Sequence, residues 1–257
     1  MLSDLNLAIT AAKKAGDLIL NYFKSDYEIK DKGFNNPVTT ADYEADQCIK
    51  EILMENRPDY GWLSEETVDS FKRLEKKKVW IVDPLDGTKE FIEGVANFVV
   101  SIGLVQEGYP IIGVLYNPIT KELFTAAKNE GAYLNGISIK CSLKESLSDM
   151  SLLISRSELR KGLWSPYKKK FFKLKPIGSV AYKLGLTAAN KADLFASLRP
   201  KNEWDICAGN CIINEAGGKL IDLNGKHVIF NRKTTRIQPG LIAGEKKAVD
   251  KILKILK

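Results

Sequence analysis

The chain is short of the residues that several common hydrolytic chemistries require. It has one histidine, His227, in 257 residues. A histidine phosphatase needs a phosphorylated His among basic neighbours, and a zinc hydrolase draws on several His or Cys ligands, so a single histidine serves neither. His227 lies in the polar stretch IDLNGKHVIF beside an expected turn and reads as a surface or strand-end residue. The four cysteines, Cys48, Cys141, Cys207 and Cys211, form no Cys-x-x-Cys pair and open no Cys-x5-Arg phosphatase loop. Cys207 and Cys211, four apart on an expected helix, read as small apolar packing groups. No apolar run approaches the length that spans a bilayer, and Met1-Leu2-Ser3-Asp4 lacks the basic start and apolar centre of a signal peptide. The expectation is a cytoplasmic protein with reduced thiols and no membrane insertion.

What is present is a globular composition, 44% apolar, able to bury a substantial core in one large domain or two intimate ones. The formal charge is 39 − 32 = +7, mostly from lysines in short runs such as Lys76-Lys77-Lys78 and Lys168-Lys169-Lys170. Such a surface suits anionic small molecules or nucleic acid, and no nucleic-acid-binding module is legible. The favoured reading is therefore a lysine-rich surface that suits anionic substrates. Oligomeric state is not legible.

Periodicity divides the chain. Asp4 to Lys24 and Thr40 to Asn56 read as amphipathic helices. From Val79 to Lys140 strands dominate: Asn97 to Val105, Ile111 to Tyr116 and Glu122 to Lys128 are separated by Gly-Tyr-Pro and Asn-Pro turns. Beyond residue 150, β and α segments alternate, as in a covered mixed sheet. These are Ser151 to Ile154, a helix near Glu158, Phe171 to Pro176, a helix from Ser179, Ala192 to Ser197, a helix after Asp205 and Lys219 to Leu223. A last helix is expected over Ala248 to Lys257.

The densest chemistry is WIVDPLDGTKEF, residues 80 to 91. The β-branched run Val79 to Val82, broken at once by Pro84, Asp86 and Gly87, predicts a strand that ends where the acids begin, so Asp83, Asp86 and Thr88 fall on a strand-end turn. Carboxylates there can ligate Mg²⁺, and the amides of Gly87 and Thr88 can hydrogen-bond a phosphate. Asp-Pro and Asp-Gly taken singly are ordinary turn chemistry. Haloacid-dehalogenase-type phosphatases also close an aspartate cluster in Gly-Thr, but Pro84 stands where their nucleophile would be, which disfavours a phosphoaspartyl mechanism. One divalent ion wants about six oxygens, so further acids are needed. Glu65 and Glu66 in WLSEET, Asp42 in NPVTTADYEAD and Asp205 in NEWDICAGN are on offer. Asp42 and Asp205 also fit the first turns of helices, the latter running to Ala216 before Gly217 and Gly218.

Ser64-Glu65-Glu66, Asp83 to Thr88, Trp204-Asp205 and Gly217-Gly218 follow one another in that order, with Pro37-Val38-Thr39 ahead of Ala41-Asp42. In this the chain resembles the inositol monophosphatase superfamily of Mg²⁺-dependent, lithium-sensitive phosphatases, almost end to end. Lys89-Glu90-Phe91 after the Gly-Thr, Lys32 ten residues before Asp42 and Ala208-Gly209 after Trp204-Asp205 are similar to the 3'(2'),5'-bisphosphate nucleotidase, or CysQ-type, branch. Asn36 stands where those nucleotidases often have Ser. The resemblance implies that Glu65, Asp83 and the Leu85 carbonyl bind one Mg²⁺, and that Asp83, Asp86 and Asp205 bind a second. Asp42 would hold waters of a third, loosely bound ion. Thr88, with Asp42 or Glu65, would orient the attacking water, and the Gly87 and Thr88 amides would hold the departing phosphate. Leu85, Asp86, Gly87, Thr88, Lys183 and Asp205 would line the substrate site, with a far wall near Lys89, Gly178 to Lys183 and Pro200 to Glu203.

The fold that the resemblance implies is α/β (α+β), a layered αβαβα sandwich of two sheets and three helix layers. An N-terminal subdomain, 1–145, would carry most metal ligands, and a C-terminal one, 146–257, would carry Asp205. The leading expectation is removal of the 3' phosphate of adenosine 3',5'-bisphosphate in sulfur metabolism. The alternatives are an inositol monophosphatase or broad sugar-phosphate phosphatase and, from another class, a basic nucleic-acid-binding protein whose acidic motifs are structural.

Overall fold

Buried side chains from three groups of elements set the layers of the computed structural model, which describes residues 3–31 and 37–256. Lys32 and Asn36 lie outside the described residues. Helix α1, Asp4–Tyr22, opens on Ser3, whose hydroxyl accepts the Asn6 N–H at 3.2 Å, and buries Ala8, Ala11, Ala12, Ala15 and Ile19 on one face. It stops short of Lys24 because Phe23 turns extended and Lys24 takes a positive φ. Strands β1, Ile29–Asp31, and β2, Pro37–Thr39, pair antiparallel ahead of helix α2, Thr40–Asn56.

A seven-stranded sheet follows: β3 (Gly61–Ser64), β4 (Lys78–Asp86), β5 (Val99–Gln106), β6 (Tyr109–Asn117), β7 (Glu122–Ala127), β8 (Gly131–Leu134) and β9 (Ile137–Ile139), neighbours in that order. Only β3 and β4 run parallel. The five-residue helix α3, Thr88–Ile92, joins β4 to the rest. A second sheet, in the order β11-β10-β12-β16-β14, is built from β10 (Ser151–Ser155), β11 (Lys173–Ile177), β12 (Leu194–Ser197), β14 (Gly218–Asp222) and β16 (Leu241–Glu245). Its outer strand β11 carries Lys173, Lys175 and Pro176, residues that discourage edge-to-edge pairing. Helices α4 (Arg156–Arg160), α5 (Val180–Ala188), α6 (Glu203–Glu215) and α7 (Lys246–Leu256) and the short pair β13 (Lys201–Asn202) with β15 (Arg236–Ile237) complete it.

Alternation along the strands distributes the core. Trp80 and Val82 of β4, with Val100, Ile102 and Leu104 of β5, pack under α1 and α2. Val79, Ile81, Val99 and Val105 face the opposite way, onto α5 and α6, whose far side meets the second sheet. A third core joins that sheet to α7 through Leu152, Ile154, Val249 and Ile252, with Trp164. The result is the expected αβαβα order of layers.

The central helix α6 approaches the large sheet closely at two glycines. Gly103 and Gly113 are register partners on β5 and β6. A Cβ on Gly113 would stand 2.2 Å from the Ala208 carbonyl oxygen, and one on Gly103 would stand 2.5 Å from the Cys207 sulfur. The paired glycines open a notch that takes the buried Cys207, Ala208 and Cys211, which pack as small apolar groups.

Candidate active site

The strand carrying the aspartates does not end where they begin. β4 continues to Asp86, and three of its residues oppose two of β5, with Asp83 opposite Ser101 and Asp86 opposite Val99. In a regular strand two residues three apart point to opposite faces. The extra residue is a bulge that turns both carboxylates to the inner face while Leu85 joins the outer core. The turn reading holds locally as well, because Asp83 Oδ1 accepts the Leu85 N–H at 3.1 Å. Gly87, with φ 111°, then starts α3; a Cβ there would strain the backbone and meet the Asn97 carbonyl at 2.8 Å.

Around this bulge the first turns of α2, α5 and α6 converge. Asp42, in the first turn of α2, reaches back with Oδ2 to the Thr39 N–H at 2.8 Å and hydroxyl at 2.6 Å. Its Oδ1 lies 3.0 Å from the Thr88 hydroxyl, which also lies 3.2 Å from the Leu85 carbonyl. Asp205 repeats the pattern on α6, with Oδ2 accepting the Asn202 N–H at 2.8 Å. Asp86 Oδ2 accepts from the Ser179 hydroxyl at 2.6 Å and the Ala181 N–H at 2.5 Å, at the start of α5. Ser179 holds φ at 53°, a strained setting that aims it at Asp86.

Glu65, Asp83 and Asp205 each present an oxygen, and all three lie within 4.8 Å of one another. Burial, with Glu65 and Asp86 nearby, pushes Asp83 well above the usual carboxylate range. Burial and the charges of Asp86 and Glu65 push Asp205 up to about 7. Asp86 rises to about 6 through burial, held down by its bonds to Ser179 and Ala181. Burial also raises Asp42, against the bonds from Thr39 and Thr88. A cluster of crowded hard oxygens that resists carrying its own charge is matched to a divalent cation of the Mg²⁺ kind.

The acids form one wall of a cleft of about 360 Å³ that also takes in Leu85, Gly87, Thr88 and Lys183. Every expected site residue lines this cleft except Asp42, which reaches it through its bond with the Thr88 hydroxyl. Lys183 needs qualification as a substrate group: it is buried, its Nζ donates to the carbonyls of Ile177 and Gly178 at 3.0 and 3.3 Å, and burial lowers it to about 8. The opposite wall adds residues that spacing did not single out. Arg156 Nη1 donates to Glu90 at 2.8 Å and Glu93 at 2.6 Å, and Arg160 lines the same cleft, as does Lys201 of the expected Pro200 to Glu203 wall. Gly178 admits this arrangement, since a Cβ there would overlap the Glu90 carboxylate at 1.8 Å. His227 is exposed and bridges Ile221, far along the chain from these groups and absent from the cleft lining. Among the described residues no helix is long and apolar enough to cross a membrane.

This fold and acidic cleft define a metal-phosphoester class of protein, and the comparisons agree. The model of the inositol monophosphatase family matches residues 2–257, and the chain belongs to that family. It is 36% identical over 247 residues to an inositol monophosphatase of Mesembryanthemum crystallinum, covering 92% of this chain and 91% of the relative. It is 35% identical over 234 residues to Nus factor SuhB of Escherichia coli, covering 87% and 86%. Among solved structures, the extragenic suppressor protein suhB of Bartonella henselae superposes with a TM-score of 0.87 at 31% identity, over 98% of this chain and 97% of that one. An IMPase of Thermotoga maritima gives 0.89 at 28% identity, over 99% and 97%.

Proposed function

We propose that the chain is a Mg²⁺-dependent phosphomonoesterase of the cytoplasm, acting on inositol 1-phosphate or a related small sugar phosphate. The observation that carries this reading is the meeting of Glu65, Asp83 and Asp205 within 4.8 Å, beside the Asp42–Thr88 pair, in a chain of this family. Glu65, Asp83 and the Leu85 carbonyl would hold one ion, Asp83, Asp86 and Asp205 a second, and Asp42 the waters of a third. Mg²⁺ bound there supplies a water of lowered pKa and neutralises charge on the departing oxygen. The Thr88 hydroxyl, donating to Asp42 at 3.0 Å, keeps lone pairs free to accept a hydrogen bond from the attacking water and so to aim it. Glu65, whose charge is felt at Asp42, would share that task. The N–H groups of Gly87 and Thr88 open α3 and would receive the phosphate oxygens. Lys183 adds positive charge behind Asp86 rather than a direct grip. In this reading the halves 1–145 and 146–257 meet at the cleft, the second contributing Asp205.

The adenosine 3',5'-bisphosphate reading keeps one observation in its favour: Lys89, Arg160 and Lys201 line the same cleft and suit a second anionic group. Against it, Arg156 is already matched by two carboxylates, and the relatives described above are inositol monophosphatases and SuhB proteins. Phosphate release from inositol 1-phosphate, fructose 1,6-bisphosphate and adenosine 3',5'-bisphosphate, with Asp83→Asn as the blank, decides between them. The expected result is the highest kcat/KM on inositol 1-phosphate. A large preference for the nucleotide would keep the chemistry and replace the substrate. Silence on all three, with salt-dependent binding of arbitrary RNA, would favour the nucleic-acid-binding alternative.

A further inference from the structure

One buried carboxylate beside the site takes no part in the roles above. Asp46 stands one helical turn after Asp42 on the same face of α2 and is 6% exposed. Its two oxygens are divided between two hydroxyls: Ser64 donates to Oδ1, and Thr67 donates to Oδ2 at 2.6 Å. Those hydroxyls bracket Glu65 and Glu66 in the sequence. The same turn is held at three further points. The Glu65 N–H donates to the Val82 carbonyl at 3.2 Å, the Glu66 N–H to Ser64 Oγ at 3.3 Å, and Trp62 Nε1 to Thr67 Oγ1 at 3.2 Å.

Glu65 is the one member of the three-acid cluster that sits on an irregular turn; Asp83 is on a strand and Asp205 on a helix. Its carboxylate can stay within reach of the other two only if that turn keeps its shape. We infer that Asp46 is a positioning residue for the metal site: by gripping Ser64 and Thr67 it fixes the turn that delivers Glu65 to Asp83 and Asp205. Helix α2 thereby serves the site twice, through Asp42 to Thr88 and through Asp46 to Glu65. The inference rests on the metal-site reading of the acids. Partners that orient ligands from outside typically change metal affinity by about 10–100-fold when removed.

The test titrates Mn²⁺ onto the metal-free protein by calorimetry and follows the Mg²⁺ dependence of phosphate release from inositol 1-phosphate. Asp46→Ala should weaken Mn²⁺ binding about 10-fold and raise the half-saturating Mg²⁺ by a similar factor. At saturating Mg²⁺, kcat and the substrate KM should stay near those of the parent. Thr67→Val removes one of the two grips with little change in volume, should shift affinity the same way by a smaller factor, and decides the matter if Asp46→Ala does not fold. Unchanged cation affinity in a folded variant, with or without a lower Tm, would overturn the inference, as would a loss confined to kcat. Asp83→Asn separates the two levels: if it leaves Mn²⁺ affinity intact the metal-site reading falls, whereas if it abolishes binding and the Asp46 and Thr67 variants do not change it, only the role of Asp46 falls.

Discussion

Helices α2 and α6 open in the same way and lead to different partners. Each places an aspartate in its first turn, Asp42 or Asp205, and each aspartate spends one oxygen on the N–H of the residue before its helix, at 2.8 Å in both. The free oxygens part company. On α2, in the outer layer, Asp42 Oδ1 meets a hydroxyl, Thr88. On α6, seated between the sheets, Asp205 meets two other carboxylates. In the proposed reading the same kind of local motif would orient water in one place and ligate a cation in the other, according to the layer behind it.

The sharpest way to break that contrast is to neutralise each aspartate. Asp205→Asn should cut phosphate release by more than about 100-fold together with Mg²⁺ affinity, since it removes a charged ligand rather than an outer partner. Asp42→Asn should lower kcat by about 100-fold while leaving Mn²⁺ binding close to the parent. If Asp42→Asn weakens cation binding as much as Asp205→Asn does, the division of labour is wrong. Thr88→Ala should also lower kcat by about 100-fold, and combining it with Asp42→Asn should add little, because the pair acts as a unit. A pure KM effect of Thr88→Ala would contradict its role.

A structural probe of the α6 side comes next. Gly113→Ala should destabilise the fold by about 2 kcal/mol and weaken Mn²⁺ binding, because the new methyl group must lift the helix that carries Asp205. Calorimetric melting with and without cation checks both parts. A change in pH should expose the same crowding. Asp83, Asp86 and Asp205 hold protons more tightly folded than unfolded. The metal-free protein should therefore lose stability as pH rises from about 4, where unfolded carboxylates titrate, through the folded value of about 7 for Asp205. Saturating Mg²⁺ should flatten that fall in Tm; an unchanged slope would mean that the cation binds elsewhere. The smallest effect is expected for His227→Ala, within about 0.5 kcal/mol and with unaltered kcat, as for an exposed residue free of any special role. A folded but inactive His227→Ala protein would refute the mechanism.

Much of this arrangement was legible beforehand because it rests on local signals. The bounds of α2 follow from Thr39 and the apolar periodicity, and the β-α alternation of the second half is read from its apolar runs. The acids were found because Asp, Gly and Thr at those spacings have few other uses together. What escaped was set by tertiary context. The bulge in β4 depends on its pairing with β5, so the strand was expected to stop at Asp83. The short strands β3, β8 and β9 are stabilised by neighbours rather than by their own composition. Ser179, Arg156 and Asp46 are common residue types whose partners lie 93, 66 and 18 residues away, respectively. For Asp46 a signal did exist: its spacing of four from Asp42 puts both on one helix face.

The glycine notch beneath α6 also bears on where this enzyme can breathe. Held against β4 to β8 on one side and β14 on the other, the amides of Cys207 to Ile213 should trade hydrogen for deuterium only when the whole molecule opens. Asp205 is thus anchored to a firmly held segment, and the motions that would admit substrate and release phosphate fall to the exposed rim around Lys89 and Arg160.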